Sequence, residues 1–240
     1  MWAVLFVAAL LVGFAKTSIG GLGSVAVALF AGVMPAREST AAVLLLLLVG
    51  DVLAIAVYRK HCDWSLLRML VPGVLPGLVL GTVTLALFGD RTLEVTIGSI
   101  LALLVVLQLV TSRRVVHPDD PPWSGTARAG TGVAAGFTTM VANAGGPVMT
   151  LYLVAQGVEK QRFLGTAAWF FFGVNLTKLP FSVGLGLVHR DMLVTTAVLA
   201  PVVLAGGVVG VFAVRRIGQR SFDAAVLVAS LVGAVALLLP

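Results

Sequence analysis

Charged side chains make up only 11% of the 240 residues. A soluble domain carries about a quarter, so a water-exposed globule is excluded. Cysteine occurs once, at Cys62, which rules out an internal disulfide and a thiolate metal cluster. The three histidines, His61, His117 and His189, fall in polar connections without metal-ligand spacing. A serine hydrolase buried in the membrane would need a basic partner at depth, and no histidine is placed there. No paired carboxylates offer an acid and a base. The first segment, MWAVLFVAALLVGF, lacks the cations that open a secretory signal, since Lys16 comes after the apolar run. It is expected to stay in the mature protein.

What the chain has in abundance is apolar length. Hydrophobic residues form 59% of it, and the mean hydropathy is +1.08. Runs near the ~18 residues that suffice to cross a bilayer recur from end to end. The fold class is therefore all-α, a polytopic membrane protein. The net charge of +6 does not point to nucleic acid, because cations of membrane proteins gather in cytoplasmic loops beside anionic lipid. No metal or cofactor is called for.

Eight apolar stretches are expected: 2–34, 39–58, 66–88, 93–110, 130–156, 164–187, 192–214 and 222–239. The longest polar connection, TSRRVVHPDDPPWSGTAR, reads as a linker over 111–128. It separates a first repeat, 1–110, from a second, 129–240. The halves correspond at an offset near 125. VGFAKTSIGGLGSVAVALFAG answers AGFTTMVANAGGPVMTLYLVAQG, and Thr40-Ala41-Ala42 answers Thr166-Ala167-Ala168. GDVL with Asp51 answers GVNL with Asn175, and Pro76 with Gly81 answers Pro201 with Gly206. Four matches in one order indicate an internal duplication.

Stretches one and five open the halves, and both exceed one crossing: about 32 residues of helix span ~48 Å, against ~30 Å of hydrocarbon. Each is broken, by GGLG and by NAGGP. Either each crosses once with an unwound centre, or each is a re-entrant hairpin of two half-helices. Loop charge discriminates. Eight single crossings divide the fourteen loop cations seven and seven; two hairpins divide them eleven and three. The smaller set is then Arg37, Arg91 and Arg190. Only hairpins obey the positive-inside rule. They put both termini outside and make the two repeats inverted.

Inverted repeats that open with broken helices point to a secondary transporter, with its site where half-helix ends meet near the midplane. Lysine at that depth costs about 2.5–3.5 kcal/mol even on lenient scales, so Lys16 beside a break needs a reason. Ser24 is expected to cap the second half-helix of the first hairpin, and Pro147 to occupy the first helical position in the second. The two helix starts would present N–H groups and partial positive charge to an anion. Candidate substrate contacts are Lys16, Ser18, Gly20, Gly21, Gly23 and Ser24 from the first half. Asn143, Gly145, Gly146, Asn175 and Lys178 come from the second. Glycines also allow plain helix packing, and buried amides also stitch helices. Lys178 either faces the cavity or snorkels to an interface. Asp51, the carboxylate deep in a span, either carries a coupling proton or pairs with Lys16 or Lys178. Trp2, Tyr58, Trp64 and Trp169 read as interfacial anchors.

GFAKTSIGGLG and GFTTMVANAGGP resemble the paired glycine-rich motifs of the TauE/SafE sulfite exporter family. RESTAAVLLLLLVGDVLAIAVYRKHCDW and PGVLPGLVLGT match that family's style, and the resemblance spans nearly the whole chain. One departure is Ser24, which follows Gly23 where the first motif usually ends in a fuller glycine run. The resemblance implies movement of small anions, often sulfur oxyanions or organosulfonates, across the bacterial plasma membrane. Its expected partners are that anion and the surrounding lipid. An intramembrane enzyme and a non-transporting partner subunit remain as alternatives.

Overall fold

A computed structural model of the chain describes residues 1–20, 22–89 and 125–238, with isolated helical positions at 92, 96, 99, 103 and 106. Most of stretch four and most of the linker lie outside the described residues. The described chain is helical: α1 (Trp2–Thr17), α2 (Leu22–Ala31), α3 (Ala36–Tyr58), a 3₁₀ turn (Arg59–His61) and α4 (Trp64–Leu87). After these come α5 (Gly125–Ala142), α6 (Gly145–Ala155), α7 (Lys160–Gly184), α8 (Arg190–Arg215) and α9 (Gln219–Leu238). Helix α5 already starts at Gly125, inside the last residues of the expected linker.

Each interrupted stretch forms two helices. α1 stops at Thr17 and α2 starts at Leu22. α5 stops at Ala142, where Asn143 takes a left-handed φ of 50°. Asparagine is among the few residues that adopt this conformation readily. The Asn143 and Ala144 amides turn back to the carbonyls of Thr139 and Thr138. α1 packs on α2, and α5 on α6. Both helix starts differ from the expected caps. Ser24 falls inside the first turn of α2, and Pro147 is the third residue of α6 behind an Ala144 cap.

Helices α3, α4 and α8 contain windows long and apolar enough to cross a membrane. They carry exposed apolar faces: Val71, Leu75, Val79 and Val83 on α4, and Val194, Val198, Val208 and Phe212 on α8. Faces this extensive suit lipid rather than water. The Asp63 carboxylate caps α4 by accepting from the Ser65 and Leu66 amides. Pro72, Pro76 and Pro201 lie inside helices.

The closest helix contacts run between the halves. α1 lies on α8, where a Cβ at Gly13 or Gly206 would strike the Val203 or Leu10 carbonyl. α4 lies on α5, with Gly73 and Gly77 facing the backbone of Ala129 and Val133. These are the close approaches that small residues allow. One end of the molecule gathers the connections 59–63, 156–162 and 215–219. There Arg162 pairs with Asp63, and the Lys160 ammonium donates to the carbonyls of Val214 (3.1 Å) and Ile217 (2.6 Å).

Candidate functional site

The two breaks touch. A Cβ built on Gly146 would lie 3.6 Å from the Gly20 carbonyl oxygen. Around this point is a cavity of about 60 Å³, whose walls include Lys16, Ser18, Asp51, Thr139, Asn143 and Asn175. Gly20, Gly23 and Gly146 supply backbone, while Val27, Leu47, Phe163 and Phe171 supply apolar wall.

Lys16 stands in the last turn of α1. Its ammonium lies 2.6 Å from Asp51 Oδ1 and 4.5 Å from the centre of the Phe171 ring. The side chain is 10% exposed and that of Asp51 fully buried. The contact is a charge pairing, since Asp51 Oδ1 receives no well-directed hydrogen bond from the described residues. Asp51 Oδ2 accepts from Asn175 Nδ2 at 2.7 Å. Asp51 and Asn175 are the positions set against each other in the sequence comparison of the halves, and this bond joins them across α3 and α7.

Lys178 is 1% exposed and does not snorkel. It lies behind the cavity wall, donating to the Thr139 carbonyl (2.6 Å) and to Asn143 Oδ1 (2.5 Å). Asn143 Nδ2 donates in turn to the Thr40 carbonyl at 3.1 Å. Lys178 thus neutralises the C-terminal end of α5 and fixes the residue that turns the chain. Gly145 packs on Thr139, its own hairpin partner, where a Cβ would come within 2.9 Å of the threonine Cβ. Gly21 and the Ser24 side chain lie outside the described residues. At the first break the Leu22 and Gly23 amides donate to the Ile19 and Gly20 carbonyls. Two of the N–H groups expected to be free are therefore used within the turn, and the dipole of α2 remains.

Reading the sequence by depth alone missed four contributors. Tyr58 is not an interfacial anchor: it is 7% exposed, and its hydroxyl donates to the Thr17 carbonyl at 2.7 Å, closing the end of α1. Thr139 and Phe171 line the cavity. Gly50 makes room for the Lys16 stem, since a Cβ there would sit 2.9 Å from Lys16 Cγ. The signal for Gly50 was present in GDVL, next to Asp51. Trp64 and Trp169 pair at 5.2 Å between ring centres, and the Trp169 indole donates to the Arg59 carbonyl at the basic end.

A family description, Sulfite exporter TauE/SafE, matches residues 5–237. The chain belongs to the TauE/SafE family. It is a membrane protein of sulfite-exporter type, in agreement with its lipid-facing helices. No curated protein and no solved structure matches it.

Proposed function

We propose that this TauE/SafE protein is a secondary transporter of a small anion, a sulfur oxyanion or organosulfonate, bound where the two helix breaks meet. The observation that carries the reading is Lys16 on the wall of a cavity that both breaks border. Two lysines, Lys16 and Lys178, stand in or behind the wall against one carboxylate, Asp51. An anion there improves the charge balance and meets the positive ends of α2 and α6. By volume the cavity of about 60 Å³ takes about four to six waters, at ~10–15 Å³ each, which suits a compact anion.

The inverted-repeat topology, with repeats at 1–110 and 129–240, has three supports. The half-helices pack side by side, as in hairpins. The connections 59–63 and 156–162 meet at one end, as expected if stretch five returns to its own side. The α1–α8 and α4–α5 pairs exchange roles between the halves. The basic end then faces the cytoplasm of a bacterial plasma membrane, and both termini face outward.

Purified protein in liposomes is expected to move labelled sulfite or a short sulfonate. Lys16→Ala should reduce anion affinity at least tenfold by calorimetry in detergent while the protein still inserts. Wild-type affinity in Lys16→Ala would remove the site from this cavity, and absence of flux with every anion would favour a non-transporting subunit.

A further inference from the structure

Asn175 is fully buried and lines the cavity, yet only half of its amide is used. Nδ2 donates to Asp51 Oδ2 at 2.7 Å, whereas Oδ1 is buried without a hydrogen-bond partner among the described residues. The amide cannot simply turn over, because Oδ1 would then meet the Asp51 carboxylate oxygen, acceptor against acceptor. Asp51 in turn faces Lys16 through its other oxygen. The Lys16–Asp51–Asn175 row therefore fixes an unpartnered acceptor within a residue that lines a site whose other features favour negative charge.

A buried acceptor without a donor is costly, and a ligand that brings the donor recovers that cost on binding. A site with a dedicated polar group rejects an analogue lacking the matching group more strongly than an apolar pocket rejects a change of size. Resting on the anion-site reading above, we infer that this cavity selects small monoanions that carry their own hydrogen-bond donor at the anionic centre. Hydrogen oxyanions and amino oxyanions meet this description. Equally charged anions without a donor do not. Lys16 and the helix starts hold the anionic oxygens, and Asn175 Oδ1 accepts from the ligand's O–H or N–H.

Sulfamate and methanesulfonate separate these classes, having the same charge, the same sulfonate oxygens and the same number of heavy atoms. Only sulfamate has an N–H donor. Calorimetric titration of the full-length wild-type protein in detergent should show sulfamate binding on the order of tenfold or more tighter. In Asn175→Leu the ratio should fall to about one, with Asn175→Ala as the second variant if leucine prevents folding. Equal affinities in the wild type overturn the inference and leave the anion site standing. A preference that persists in either folded variant also overturns it, because the donor is then read elsewhere. Binding of neither anion to the wild type overturns both readings.

Discussion

Asp51 is held in two ways, by the charge of an ammonium and by a hydrogen bond from an amide, in a fully buried position on α3. Removing one partner of a buried pair leaves an uncompensated charge, at a cost of about 3–5 kcal/mol. Asp51→Asn should therefore lower the melting temperature in detergent clearly, since it strands Lys16. A structural pair predicts that the pH profile of flux keeps its wild-type shape in the mutant. A flattened profile with surviving substrate exchange would instead make Asp51 the coupling proton site.

Helices α4 and α5 meet backbone to backbone, and glycines decide how near they come. Two of them, on the same helix, give opposite expectations. A Cβ at Gly132 would collide with the Leu70 carbonyl, whereas a Cβ at Gly130 would meet no atom of the described residues within 4 Å. Gly132→Ala must push the helices apart and should cost at least the ~1–3 kcal/mol of an overpacked core. Gly130→Ala should be neutral or stabilising, because alanine is the better helix former by up to ~1 kcal/mol. Melting temperatures of the two variants in one detergent check this, and equal values would mean that α5 does not lie against α4 as described.

For the whole molecule the decisive question is which connections share a side of the membrane. Cys62 is a poor native reporter. It is half-buried, and burial pushes its thiol up to about 11, so little of the reactive thiolate exists at neutral pH. In a Cys62→Ser background, His61→Cys, Ser221→Cys and Asp191→Cys place thiols at exposed positions. The hairpin topology predicts that an impermeant maleimide labels position 191 in intact cells. Positions 61 and 221 should label only after the cells are opened. Protection of just one of those two would require every stretch to cross, and would remove the inverted repeat.

The sequence by itself determined the membrane class, the all-helical character and the two breaks. These follow from hydropathy, glycine and cation placement, which act locally or through solvent. Its quoted motifs also held the family match, since GFAKTSIGGLG and GFTTMVANAGGP lie within residues 5–237. Only the tertiary structure decided what each buried polar group does. Lys16 and Lys178 look alike in sequence, each a lysine at depth near a helix-breaking residue. One lines the cavity and pairs with Asp51; the other sits behind Asn143 and closes the end of α5. Tyr58 reads as an interfacial residue by position, yet its hydroxyl reaches the end of a helix 41 residues earlier in the chain. Hydropathy fixes depth along the membrane normal, but a partner is fixed by rotation about the helix axis and by which helix lies alongside. Those are set by glycine contacts such as Gly13 on Val203 and Gly132 on Leu70, which join segments far apart in sequence.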